Sequence, residues 1–509
     1  MTSLLPRNEP IRSASEDSWL DRPLSASQCF IGWLAATASF FGVAWLLGGP
    51  TEKDVAESAY STWSIAHGRF ACSYSPITGG HFPPIARPAV FMSPLYPLLS
   101  GGLAALTRIG HVVAFPSQAQ LGHNCSTALV AMFRWSVLSA AATPTVRIGY
   151  ASWFVLMAGA VALIRASGRG RSRWEPFSLI LLACLPPVQM CLVSFFHPED
   201  LVSMGLILGG LALARRGSWG WAGVLIGLAV VSQQFALLVA APLFVLAPLD
   251  RKARLTGCAV LSAALVSLPL VVATSGRVVR SILIGSGNTP SFGGTLLWEL
   301  HLPGPLFFVF SRLVPIVAAM GIAWWAKGRL GAATLEPIAL CSIMALSISL
   351  RLVFEQNLFG WYFMAVAVLL LMLEVACGRI RGEFIAWLGL VALAYNPVSW
   401  GLVSNWTPWA LPLHLALPFT LTLIALLIVA TDLFRKRIRI YLVAWLFLAT
   451  LAFAKFPWHH SEFRGDLPAF FWQIVLVGSA IALAIEPLIK FLREPREAGA
   501  FPDETAFRD

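Results

Sequence analysis

Charge is what this sequence has least of. Of 509 residues, 12% are charged and 57% hydrophobic, with 25 acids against 36 Lys and Arg. A soluble domain carries about 25% charged residues, so a water-soluble fold is excluded. Three further patterns are missing. There are no alternating polar–apolar strands of an outer-membrane barrel and no CxxC or His–Cys spacing that suggests zinc. The short apolar core and small-residue cleavage site of a signal peptide are absent as well. The first 27 residues are polar and carry Arg7, Arg12 and Arg22, so Cys29–Pro50 reads as a retained first span.

What is present is a series of apolar runs of 17 to 22 residues. Each is long enough to cross ~30 Å of hydrocarbon as a helix. Spans are expected near 28–49, 146–166, 175–195, 200–216, 219–233, 235–249, 255–273, 305–326, 333–350, 358–377, 383–397, 410–431, 438–454 and 467–488. The fold class is thus an all-α polytopic membrane protein with about 14 transmembrane helices, within a range of 12–16. The segment 219–249 reads as a hairpin broken at "SQQ", with one long helix as the alternative.

The net charge of +11 comes from basic clusters that recur between spans, such as "RASGRGRSR" (165–173), "DRKAR" (250–254) and "FRKRIR" (434–439). This is the positive-inside pattern, which places those loops and both termini in the cytoplasm. The charge reports topology, not nucleic acid. The loops 51–145 and 274–304 then lie outside, the first with two interfacial helices at 93–110 and 126–142. Cys72 and Cys125 share that first loop, where a disulfide and two free thiols are both open readings. The other six cysteines fall in or beside spans.

Ionisable groups at membrane depth are costly unless they pair or line a cavity. Here they collect at the outer ends of spans: Asp54 and Glu57; His197, Glu199 and Asp200; Gln233 and Gln234; Glu299 and His301; Arg312; and Arg351, Glu355, Gln356 and Asn357. This one-sidedness implies a polar cavity open to the exoplasmic face. Plainer readings stand beside it. "TEKD" fits a capping box with Thr51 at the cap and Asp54 at the third position. "HPED" places Pro198 first in a helix with two acids behind it. Arg351 fits a lipid-headgroup contact, whereas Arg312 sits about two turns inside a span and requires a partner. Glu52 reads as solvated.

Three stretches carry a resemblance. They are Asp54-x5-Tyr60-x5-Ala66-x-Gly68 followed by "SPLYPLLSGGLAAL", then "FHPED…SQQFALLVAAPLFVL" (196–246), then "RLVFEQNLFGWYFMAVAVLLLMLE" (351–374). Together they resemble the GT-C glycosyltransferases, polytopic enzymes that take sugar from a polyprenyl-phosphate donor. The bacterial members concerned are family-87-like mannosyltransferases and actinobacterial arabinosyltransferase-like proteins. The resemblance implies a cytoplasmic tail (1–27), a catalytic membrane module (28–250), further transmembrane helices (251–490) and a cytoplasmic C-terminal tail (491–509). It implies an inverting-type transfer of a single sugar at the exoplasmic side of a bacterial inner membrane, with Asp54 as general base. Arg351, His197, His301, Arg312, Gln233 and Gln234 would bind the donor phosphate. Glu57, Tyr60, Glu199, Asp200, Glu355 and Tyr362 would contact the sugar or acceptor. No cofactor is implied; the alternative is a divalent cation at Asp54, Glu199 and Asp200. The implied partners are the lipid-linked donor, a glycan or glycolipid acceptor and the bilayer. Where many relatives carry Lys after "GLA", this chain has "SQQF", so Gln stands where a charge is expected. The competing classes are a polytopic transporter or flippase, which internal repeats would favour, and a membrane scaffold.

Overall fold

The computed structural model describes residues 19–47, 52–74, 93–109, 125, 144–193, 196–279, 295–300, 302–303, 306–307, 309–355, 358–394 and 467–493. Among these residues the regular structure is helical, with no strand. The helices are α1 (Ala26–Leu47), α2 (Glu52–Ala66), α3 (Leu95–Ile109), α4 (Ser152–Ala166), α5 (Trp174–Cys184), α6 (Pro186–Val193), α7 (Pro198–Arg215) and α8 (Trp219–Val230). They continue as α9 (Leu237–Leu246), α10 (Leu249–Ala273), α11 (Val314–Leu330), α12 (Pro337–Val353), α13 (Met364–Cys377), α14 (Gly382–Ala394) and α15 (Leu467–Arg493).

Six helices are long and apolar enough to cross a bilayer, or seven when the bent pair α5–α6 is taken as one span. The chain is therefore a multi-pass membrane protein. The expected fourteen spans are not all met by this criterion. α8, α9, α12 and α14 occupy expected spans but run only 10–17 residues. α7 carries Glu199, Asp200 and Arg215, which lowers its hydropathy. The spans expected at 410–431 and 438–454, the interfacial helix expected at 126–142 and both tails (apart from 19–27 and 491–493) lie outside the described residues. α3 occupies the interfacial helix expected at 93–110.

Local chemistry explains the breaks. "LPP" at 185–187 removes backbone donors, and the chain bends 49° between α5 and α6. Between α8 and α9 the backbone leaves the helix at 231–233, where Gln233 is extended and accepts from the Gln234 N–H. α8 and α9 are thus separate helices. α13 is apolar except for Glu374 near its end and closes on Gly378 in the left-handed conformation. It is the central helix, buried from Met364 to Val375, and packs against α4, α5, α6, α12 and α15. α10, by contrast, leaves most of its apolar surface uncovered by the other described helices.

Small residues set the closest crossings. A Cβ at Gly159 of α4 would fall on the Gly205 carbonyl of α7, and one at Gly205 would fall on the Val155 carbonyl. α8 uses Gly223 and Gly227 in the same way against the backbone of α10. Because backbone is met on both sides, Gly205→Leu is expected to destabilise the protein by more than about 3 kcal/mol. The check is loss of the monodisperse species on size exclusion, and a variant as heat-stable as wild type contradicts the packing.

The basic loops converge at one end of the bundle. Arg165 bonds Glu175 at 3.0 Å, with Trp33 Nε1 on the same carboxylate at 2.9 Å. Arg169 pairs with Asp21, and Arg215 reaches Glu336 at 3.2 Å. Lys327 caps the end of α9 through the Val245 and Ala247 carbonyls at 2.7 and 2.8 Å. Arg381 joins Glu374 at 2.7 Å to Glu486 at 3.3 Å. These contacts link loops that the charge pattern assigns to one side of the membrane.

Candidate active site

At the other ends of the same helices, polar side chains from distant segments meet. α7 starts at Pro198, which suits the first helical position because its missing N–H would have no partner there. Glu199 and Asp200 follow in the first turn, and both are buried. The turn before them is strained: Phe196 adopts φ +48°, and the His197 N–H reaches the Cys191 carbonyl at 2.5 Å. The Phe196 ring packs on Val55 and Ala56 of α2 and on Val146, and it occupies the space beside Gly149.

Each polar group of this turn has a specific partner. His197 Nδ1 lies 2.8 Å from Glu199 Oε1. Its ring stacks on Trp361 at 4.9 Å, and Trp361 stacks on Phe359 at 4.3 Å. The Ser232 hydroxyl donates to the Glu199 carbonyl at 2.9 Å. Gln233 Nε2 donates to Asp200 Oδ1 at 2.5 Å, while its Oε1 accepts from the Gln234 N–H at 3.0 Å.

Arg351 enters from the last turn of α12. Its Nε bonds Glu355 at 2.6 Å, and its guanidinium lies over the Tyr362 ring at 4.9 Å and the Phe235 ring at 5.9 Å. Asp200 is within electrostatic reach of Arg351. Arg312, on a π-helical turn at Val309–Leu313, acts electrostatically on Tyr362. Two guanidiniums, three carboxylates and one imidazole come together, a charge density that membrane depth tolerates only with mutual pairing.

The end of α12 is held from across the bundle. Gln473 of α15 donates to the Leu352 and Val353 carbonyls at 2.7 and 3.1 Å and accepts from the Leu296 N–H at 2.8 Å. It thereby satisfies carbonyls that a helix end leaves open. Gln473→Leu should cost about 2–3 kcal/mol through those orphaned groups. Thermal unfolding checks this, and an unchanged midpoint contradicts it.

The sequence-expected residues divide as follows. His197, Glu199, Asp200, Gln233, Arg312, Arg351, Glu355 and Tyr362 are brought together. Gln233 holds the Asp200 carboxylate through Nε2 and the Gln234 N–H through Oε1. The Tyr60 hydroxyl donates to the carbonyls of Cys72 and Cys125 at 3.1 and 3.0 Å, which ties α2 to the loop. Those two cysteines are joined by a disulfide at a sequence separation of 53. Burial pushes the Tyr60 phenol up to about 12, with Ser64 and Arg69 opposing to a smaller extent. Glu57 is half-buried on α2, and Gln234 lies half-buried beside Gln233.

Asp54 sits in the first turn of α2, one residue before Val55, whose contact with Phe196 sets that turn beside "HPED". The side chains of Asp54 and Glu299, the capping box that needs Thr51, and His301, Gln356 and Asn357 lie outside what the structure describes. Sequence reasoning missed Trp361, Phe235, Phe196 and Gln473. Only Trp361 offered a signal, as an aromatic beside Tyr362 at a helix start. Among the described residues no group of three or more His, Cys, Asp or Glu is arranged to hold a metal ion.

No family model matches the chain. No curated protein matches it significantly.

Proposed function

We propose that this protein is a membrane glycosyltransferase of GT-C type that moves a single sugar from a polyprenyl-phosphate donor to an acceptor hydroxyl. The observation that carries this reading is the meeting of Arg351 with Asp200, Glu199 and His197, with Arg312 in electrostatic reach of Tyr362, at the bundle end away from the basic loops. By the positive-inside rule that end is exoplasmic, which fits the periplasmic side of a bacterial inner membrane.

In this reading the donor phosphate lies against Arg351 and Arg312. A guanidinium fork matches phosphate oxygens and stays charged at any working pH. Asp54 takes the acceptor proton as the acceptor oxygen attacks the anomeric carbon. The anomeric C–O bond breaks toward phosphate, so polyprenyl phosphate leaves with the bonding electrons and needs positive charge rather than an acid. The Glu355 pairing holds Arg351 in place until the phosphate engages it.

Native mass spectrometry of protein extracted from its own membrane tests this directly. A bound polyprenyl monophosphate or its glycosylated form is expected; repeated absence of any phospholipid of that mass class counts against the reading. The α5–α6 bend favours a second reading, a transporter or flippase for a lipid-linked or polar substrate, because broken helices recur in transporters. Tracer uptake by proteoliposomes without chemical change of the tracer would support it.

A further inference from the structure

Among the buried polar atoms here that have no hydrogen-bond partner among the described residues are the Tyr96 hydroxyl of α3 and Glu199 Oε2, with Trp63 Nε1 in the same packing cluster as Tyr96. The backbone brings them together. The Leu95 N–H donates to the Val231 carbonyl at 2.9 Å, and the neighbouring Ser232 hydroxyl holds the Glu199 carbonyl at 2.9 Å. Tyr96 also packs in one cluster with Val202, a turn along α7 from Glu199, and with Tyr74 and Trp63. Tyr96 and Glu199 are 3% and 2% exposed, so bulk water does not satisfy either group. Leaving such groups unmatched is costly.

The two atoms ask for opposite things. Tyr96 offers an O–H, and burial together with Glu199 holds that phenol well above its ordinary pKa, so it stays a donor. Glu199 Oε1 is taken by His197, which leaves Oε2 as an acceptor. An ammonium donates but cannot accept from Tyr96. A phosphate accepts but would face the carboxylates of Glu199 and Asp200. A neutral hydroxyl, such as a carbohydrate carries, does both at once.

We propose that Tyr96 and Glu199 seat a hydroxyl of a carbohydrate acceptor. This assignment rests on the transferase reading above. It gives the site a division of labour, with positive charge for the donor phosphate and a donor–acceptor pair for the neutral sugar.

The test uses full-length protein in nanodiscs with methyl α-mannopyranoside, methyl β-galactopyranoside and a methyl arabinofuranoside as probes, read by saturation-transfer NMR. At least one glycoside is expected to bind, and Tyr96→Phe and Glu199→Gln should each weaken it by about tenfold or more. Tyr96→Phe removes only an unpartnered hydroxyl, so the melting temperature of the ligand-free variant should hold or rise. A lower melting temperature means that the hydroxyl serves a structural or water partner and overturns the assignment. Unchanged glycoside affinity in Tyr96→Phe, or no glycoside binding at all, overturns it too. If sugar transfer still requires Asp54 in those cases, the transferase reading survives. Tyr96-dependent binding in a protein that transfers no sugar has the reverse meaning.

Discussion

Asp54→Asn is expected to leave the protein folded and to slow sugar transfer by about 10²–10⁴-fold, the usual contribution of a positioned general base. An acceptor hydroxyl holds its proton far above neutral pH, and an amide cannot take it. The fold should tolerate the change for two reasons. Asn keeps a side-chain oxygen in the first turn of α2, and the anchors of that turn, Val55 and Ala56 against Phe196, are untouched. Glu57→Gln serves as the control on the same helix and should have a much smaller effect. Initial rates at matched amounts of folded protein provide the check. An Asp54→Asn variant with full activity removes Asp54 from the chemistry and leaves it as a helix-capping residue.

The second large effect concerns Arg351. Loss of fixed positive charge at a leaving phosphate typically costs about 10²–10³-fold in rate. Arg351→Gln alone confounds this with stability, because it strands Glu355, and breaking a buried pair from one side costs about 3–5 kcal/mol. The double variant Arg351→Gln with Glu355→Gln removes both charges and isolates the rate effect. Arg351→Lys should fall between that variant and wild type, since an ammonium keeps the charge but not the fork over Tyr362. If the double variant transfers sugar at the wild-type rate, the phosphate does not sit at Arg351.

The helices that announced themselves in the sequence did so through long apolar runs, and charge parity between the basic loops sorted their ends. That parity also favoured a break at "SQQ", where the backbone does leave the helix between α8 and α9. The reach of each helix was less visible. Periodicity does not register that "LPP" bends a span by 49° or that α8 runs 12 residues and α9 only 10. The glycine crossings of α4 with α7 were hidden because glycine inside an apolar run has no signature of its neighbour.

In the site, acids and bases at span ends were readable one by one as residues that membrane depth must explain. Their pairing was not. Gln233 on Asp200 and His197 on Trp361 depend on segments 33 and more residues apart. Gln473 reaches α12 from 121 residues away, and a lone Gln in an apolar helix carries no hint of its target. The loop contacts of Tyr60 were equally hidden, since a tyrosine near an acidic turn reads the same whether its hydroxyl meets substrate or a loop carbonyl.

The central claim is that the polar end of the bundle performs transfer from a lipid-linked sugar. The most direct measurement supplies purified wild-type protein in nanodiscs with radiolabelled polyprenyl-phosphate sugars and a crude glycolipid acceptor fraction. Label is expected to pass from one of these donors to acceptor, with an equal amount of polyprenyl phosphate released. Intact donors throughout, together with tracer crossing the membrane chemically unchanged in proteoliposomes, would contradict it.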